Sequence, residues 1–364
     1  MRFAIINNDA KCKNDELFFK TDIAGAKVIT EEIFWKKMYE EMVEYGHEIH
    51  TVDLYDKYSP ADFYLFLSPE WDWAYKLTRQ GLGSRLVYCC SEPPTVVKYN
   101  TENGYKILKK IFPYILTTNR QWIDNINIFI RNIPYIFNYS DNTIPFSERK
   151  LITAISANKH SSYKGELYSE RERAYSYFEK KRPEQFDFYG VLWENTSHPC
   201  YRGTVKSKKD TFQRYKFALC FENTSDIHDY VTEKIFDCIC SGIVPIYAGA
   251  PNIMEYLSKD SFIDYFAFNS LDELDDYLIA MDEQQYNSYI AAGKEILSSD
   301  LPRRLSMEQY VTNILDAVSH VAPYHHTLYA DLWMMYRCAV KKIDHIGLIF
   351  RKELRNYLKK TRNK

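Results

Sequence analysis

Apolar residues along this chain follow two rhythms that take turns. Unbroken apolar runs in RFAIIN (2–7), EIHTVDL (48–54), FYLFLS (63–68), RLVYCCSE (85–92) and YILTTN (114–119) predict strands. EEIFWKKMYEEMVEYG (31–46) repeats its apolar positions at helical spacing and stops at Gly46, and YKILKKIF (105–112) has the same period. Strands that alternate with helices need crossover connections, which implies βα units and a parallel sheet. A polar stretch, NYSDNTIPFSERK (138–150), breaks the rhythm and is expected to link two domains. Alternation then resumes. LITAIS (151–156), FDFYG (186–190), FALCFEN (217–223) and IVPIYAG (243–249) predict strands. Helices are predicted through Arg171 and Phe178, over 270–281 and over 307–321.

The expected fold class is α/β, with two Rossmann-like domains facing a cleft, over 1–145 and 150–322, and a helical tail over 323–364. The tail differs in charge. From Lys341 onward it carries Lys341, Lys342, Arg351, Lys352, Arg355, Lys359, Lys360, Arg362 and Lys364 against Asp344 and Glu353. Ile343, Ile346, Phe350, Leu354 and Tyr357 recur at helical spacing within it. Such a helix either lies on an anionic membrane or packs its apolar stripe back across the domains.

Composition narrows the function. A net charge of −2 leaves no global positive field for nucleic acid. The first residues form a strand pattern rather than a signal peptide, and cysteines such as Cys89, Cys90, Cys220, Cys238 and Cys240 sit in apolar runs without a CxxC pair. A reduced, cytoplasmic protein is expected. The HEIH run (47–50) lacks a third ligand within reach, so no metal site is expected. The acidic pair Asp275-Asp276, on a helical pattern, is expected to be solvated surface.

One short stretch, FENTSDIHDYVTEKIFDCICSG (221–242), concentrates polar chemistry where a strand ends and a helix begins. Thr232 is the expected N-cap, Ile235, Phe236 and Ile239 the buried face, and Gly242 the stop. Free backbone N–H groups and the helix dipole favour anions at such a junction. Lys234 stands in the first turn, against that dipole, where the sequence shows no structural gain for it; a bound diphosphate would explain it. Glu233 beside it can hold ribose hydroxyls or face a developing cation, and Asn223 and Tyr230 can donate to phosphate oxygens.

YKFALCFEN (215–223), DYVTEK (229–234) and VPIYAGAP (244–251) together resemble the signature of the α-1,3-fucosyltransferases. The resemblance is strong over most of the second half and weak over the first. It implies the GT-B arrangement, with GDP-fucose on the second domain contacted by Asn223, Tyr230, Glu233 and Lys234. It also implies a diphosphate-clamping arginine, with Arg171 the best fit and Arg173 the runner-up. In the first half, YCCSEPP (88–94) resembles the element that carries the family's general base, which makes Glu92 the implied catalytic base alongside Glu233. Glu70, in SPEWDW (68–73), competes with it, and Trp71 and Trp73 are candidates to stack on an acceptor sugar.

The implied reaction is inverting transfer of L-fucose from GDP-fucose to a glycan hydroxyl, with the 3-hydroxyl of N-acetylglucosamine as acceptor. A bacterial-type enzyme acting on oligosaccharide or lipid-linked acceptors fits a cytoplasmic location with peripheral contact at the inner membrane face. No cofactor is required by this chemistry; Mn or Mg would stimulate only through the diphosphate. Two rivals stand beside it: a glycosyltransferase of the same fold using another nucleotide sugar, and a nucleotide- or carbohydrate-binding protein without turnover.

Overall fold

The structure, a computed structural model, describes residues 1–6, 13–19, 29–90 and 92–344. Its first sheet contains β1 (Arg2–Ile6), β2 (Glu48–Thr51), β3 (Phe63–Phe66), β4 (Leu86–Cys89), β5 (Tyr114–Thr117) and β6 (Ile128–Ile130). They run parallel in the order β2-β1-β3-β4-β5-β6. A parallel sheet is covered on both faces, which is why β3, β4 and β5 are apolar nearly throughout. Alternation splits each strand between two cores: Phe3 and Ile5 face one side, Ala4 and Ile6 the other. α1 (Glu16–Phe19) and α2 (Ile29–Glu44) cover the first side, while α3 (Trp71–Arg79) and α4 (Glu102–Leu108) cover the second. β6 escaped the sequence reading because its apolar run is only three residues long, between Asn127 and Arg131.

The second sheet contains β7 (Lys150–Ile155), β8 (Phe186–Tyr189), β9 (Tyr215–Phe221), β10 (Val244–Ala248) and β11 (Ile263–Asp264), parallel in the order β11-β10-β9-β7-β8. Phe217, Leu219 and Phe221 of β9 pack with α5 (Tyr168–Lys181), and Ala218 and Cys220 pack with α6 (Lys208–Phe212) and α7 (Glu233–Cys240). α8 (Leu271–Ala280), α9 (Glu283–Glu295) and α10 (Leu301–Arg304) complete the layers. Asp275 on α8 is a correction to the sequence reading. It is fully buried, and Arg182 donates to both its oxygens, from Nε at 3.0 Å and Nη2 at 2.7 Å. Only Asp276 of that pair is exposed.

α11 (Met307–Ser319) lies within the stretch read as the second domain, but its packing is with the first. Its Met307, Tyr310, Val311, Ile314, Ala317 and Val318 fill the core above Phe3, Ile5, Leu65 and Leu116. A helical segment over 328–344 follows onto the opposite face, where Ala330 and Met334 are buried beside Phe66 and Tyr88. For this part of the tail, packing is the observed arrangement; the basic, amphipathic remainder of the tail lies outside the described residues. No helix among the described residues is long and apolar enough to cross a membrane.

Strand ends of both sheets converge on a cleft. Pro69, Trp71 and the 94–99 loop of the first half face Ser161, Ser162 and Tyr163 of the second across a cavity of ≈ 500 Å³. Ligands of open α/β sheets bind in such crevices, beyond the carboxyl ends of the strands.

Candidate functional site

The polar junction after β9 is built around a carboxylate. Glu222 directly follows Phe221 and has no exposed surface. Its oxygens accept from the Thr232 amide at 2.8 Å, the Thr232 hydroxyl at 2.8 and 2.9 Å, and Lys234 Nζ at 3.1 Å. Thr232 thereby caps α7 while being fixed to the strand end, and Lys234 also donates to its hydroxyl at 2.9 Å. The lysine therefore does gain from the fold, contrary to the sequence expectation, because it neutralises a buried charge. Burial disfavours the ammonium, yet Glu222 and Glu233 outweigh burial and hold the Lys234 pKa well above the usual lysine range. Glu233 lies 3.7 Å from the same ammonium. Burial pushes its carboxyl up, but Lys234 and Lys208 pull harder and leave it below the ordinary value.

Arg171 comes from α5 and is almost wholly buried. Its Nη2 donates to the carbonyls of Phe221 at 2.9 Å and Glu222 at 3.1 Å, which aims the guanidinium at the strand end. Arg173, two residues on, points elsewhere: it pairs with Glu170 and donates to the Tyr265 hydroxyl at 2.9 Å. Arg171 and Lys234 line one narrow cavity, together with Lys208 of α6. Lys208 was not found from the sequence. It is held by Asp237 at 2.6 Å and feels Glu233 as well. Its only signal was a position shortly before YKFALCFEN, which by itself separates it from no surface lysine.

Asn223 and Tyr230 meet each other, the amide donating to the tyrosine hydroxyl at 3.2 Å. Tyr230 is 5% exposed, so the fold leaves little of it open to a ligand. The segment following β7 is tied to the same junction. Thr224 Oγ1 and the Ser225 amide donate to the Gly165 carbonyl at 2.8 and 2.9 Å, and the Tyr163 hydroxyl donates to Asp226 at 2.7 Å. These bonds tie one wall of the cleft to the loop that carries Tyr230.

Glu92 faces this unit from the first half. Its carbonyl accepts from Asn100 Nδ2 at 2.5 Å, which anchors the turn before Pro93 and Pro94. The side chain opens to the cleft, and no hydrogen bond to its carboxylate is made among the described residues. Surrounding protein raises its pKa by desolvation; Lys159 and Lys234 pull it down, and Glu233 pushes it up. Lys159, Lys234 and Glu233, which act on its charge, belong to the opposite half, and Arg131 to its own. Lys159 is a second residue that sequence reasoning missed, since it belongs to a polar loop without periodicity.

Glu70, Trp71 and Trp73 are arranged otherwise than expected. Glu70 accepts from Lys341 at 2.8 Å and from Ser68 Oγ at 3.1 Å, which ties it to the helix over 328–344. Trp71 lines the cleft but is buried in edge-to-face contacts with Tyr99 and Trp333. Trp73 is partly buried and carries Lys76 over its ring at 4.2 Å. Packing is the reason for the first tryptophan, and a cation covers the second.

Comparison with known proteins agrees with this picture. Residues 147–312 match the family described as "Glycosyltransferase family 10 (fucosyltransferase) C-term". An α-(1,3)-fucosyltransferase FucT of Helicobacter pylori is 43% identical over 74 residues, 20% of this chain and 15% of that protein. The GDP-fucose protein O-fucosyltransferase 3 of Gallus gallus is 32% identical over 114 residues, covering 29% and 24% respectively. The matched stretches thus span less than a quarter of either relative's length. A solved α1,3-fucosyltransferase with GDP-fucose superposes with a TM-score of 0.54 at 16% identity, covering 90% of this chain and 93% of that one. A DNA-modifying β-glucosyltransferase also superposes, with a TM-score of 0.51 at 14% identity over 88% of this chain and 100% of that one. These likenesses show the fold: two parallel α/β domains facing a cleft, the GT-B arrangement.

Proposed function

We propose that the chain is an inverting fucosyltransferase that takes L-fucose from GDP-fucose to a glycan hydroxyl, with the 3-hydroxyl of N-acetylglucosamine as the first acceptor to try. One observation carries this reading. Glu92, a carboxylate at a first-half strand end, faces Lys234 and Glu233 of the second-half junction across the cleft. In this reading Arg171 and Lys234, with Lys208, balance the diphosphate charge, and Glu233 holds the donor ribose. Asn223 and the Tyr230 hydroxyl bind phosphate oxygens. The acceptor oxygen attacks the anomeric carbon as the bond from that carbon to the diphosphate oxygen breaks. GDP leaves with the bonding electrons, and Glu92 takes the hydroxyl proton. Fixed cations oppose the charge that grows on GDP, so no metal is required for leaving-group stabilisation.

A fold shared with a β-glucosyltransferase keeps other nucleotide sugars in play. Incubation with GDP-fucose, with and without N-acetyllactosamine, tests the reading. Acceptor-dependent release of GDP supports it, and release from UDP-glucose but never from GDP-fucose would replace the donor. GDP binding without turnover of any acceptor would favour the non-catalytic rival. A cytoplasmic location with peripheral attachment through the basic tail belongs to the same proposal. Unchanged sedimentation with anionic vesicles after deletion of residues 345–364 would defeat that part.

A further inference from the structure

Apart from the cluster around Glu222, a polar contact joins the second half to the first. Asp229, the residue before Tyr230, adopts a left-handed backbone with φ +63° and is buried. An aspartate tolerates that conformation better than most residues, but a non-glycine residue persists there only when its surroundings impose it. Asn252 supplies part of the constraint. Its Oδ1 accepts from the Asp229 amide at 2.9 Å and its Nδ2 donates to Oδ1 at 2.8 Å. The Tyr256 hydroxyl donates to the same oxygen at 3.0 Å. These are second-half residues. The remaining donors belong to Arg120, in the turn directly after β5 of the first half.

Arg120 engages Asp229 with its backbone and its side chain together. Its amide donates to Oδ2 at 3.1 Å, Nε donates to Oδ1 at 2.9 Å, and Nη2 donates to Oδ1 at 2.5 Å. Nη1 lies 2.6 Å from Glu255, so the fork spans two acidic residues of the other half. Burial alone would raise the Asp229 carboxyl; donors from Arg120, Asn252 and Tyr256 outweigh it and hold the pKa below the usual carboxylate range. Without Arg120, a buried carboxylate would keep two neutral donors and lose its counter-charge. The turn it controls leads directly into Tyr230, Thr232, Glu233 and Lys234.

We propose that Arg120 is a positioning residue, through which the acceptor half completes the donor site: bound to Asp229, it holds the left-handed turn that presents Tyr230 and the start of α7. This rests on the GDP-fucose reading above. Its consequence is reciprocal, because a contact that tightens donor binding is itself tightened when the donor binds. Glu255 holds the other arm of the fork.

The test uses the full chain and GDP as probe. Calorimetric titration of Arg120→Gln is expected to give about tenfold weaker GDP binding than wild type. KM for GDP-fucose should rise in step, while kcat and KM for the acceptor stay within about twofold. Asp229→Asn preserves shape and tolerates the left-handed backbone; in that background Arg120→Gln should weaken GDP binding by less than about twofold more. Equal GDP affinity in wild type and Arg120→Gln overturns the proposal, as do losses that multiply in the double variant. A change confined to the melting temperature makes the contact a plain staple and also overturns it. A wild type that binds no GDP removes the donor reading itself, a result distinct from all of these.

Discussion

The two halves share an architecture and differ in how their functional side chains are held. In the second half Glu222, Thr232 and Lys234 satisfy one another, and Arg171 is clamped by strand-end carbonyls. In the first half Glu92 is anchored, among the described residues, through its backbone carbonyl, and the residue is exposed. The proposed function would account for the contrast by setting the halves two tasks. A diphosphate site works when its charges are fixed before the ligand arrives, because then no reorganisation is needed as charge develops. A base must keep its oxygen available to a proton and hold a pKa near the working range, which partial desolvation achieves and a saturated hydrogen-bond shell would prevent. In the proposed reading, binding is preorganised on one side and proton transfer is left free on the other.

Variants can break that division of labour. The largest effect is expected for Glu92→Gln: transfer should fall about a thousandfold while GDP affinity, read by calorimetry, stays within about twofold. Weakened GDP binding instead would place Glu92 among the donor-site residues and erase the contrast. Next comes Lys234→Met, which strands the buried Glu222 charge; about 3 kcal/mol of stability should be lost in urea denaturation, with GDP binding down about a hundredfold. Adding Glu222→Gln should recover most of the stability and none of the binding. Recovery of both would make Lys234 a structural partner only.

Smaller shifts sharpen the picture. The base must be ionised, so kcat/KM should be present above the Glu92 pKa and lost as pH falls through it. Desolvation raises that pKa, so the acid limb should lie above the ordinary glutamate value. Lys159 pulls the pKa down, and Lys159→Met should therefore move the limb to still higher pH. An unmoved limb would assign it to another group. The smallest effect is expected for Arg173→Ala. Its partner Glu170 lies three residues away on the same helix and the arginine is exposed, so KM for the donor should stay within about twofold. A large rise would transfer the clamping role from Arg171 to Arg173.

Legibility in the sequence followed the same division. Apolar runs marked β1 to β5 and β7 to β10, and helical spacing marked α2, α4, α5, α7, α8 and α11. The short strands β6 and β11 carry too few apolar residues to register. Asn223, Tyr230, Glu233 and Lys234 could be singled out because one strand–loop–helix unit brings them together within a dozen residues. Glu222 lay in plain view, but nothing local said that its carboxylate would be sealed under Thr232. Lys208, Lys159 and Arg120 reach the cleft or the interdomain contact from separate loops and helices, and their proximity is a product of tertiary packing alone. Trp71 and Trp73 misled for a related reason: a tryptophan after a strand serves a core as readily as a sugar, and Trp333, far along the chain, decided the matter for Trp71.

The return of α11 to the first sheet also bears on how the molecule is made. Tyr310, Val311 and Ile314 are the lid of a core whose floor is Phe3 and Ile5. On the ribosome, that floor emerges well before residues 150–304 and waits for the lid until they have been made. The second half, whose sheet and helices lie between residues 150 and 304, can close first. Order of synthesis and order of completion are thus reversed. A fragment ending at residue 145 would expose the apolar face that α11 covers, and the first domain cannot be cut out by sequence position; it has to be taken together with the helix that comes back for it.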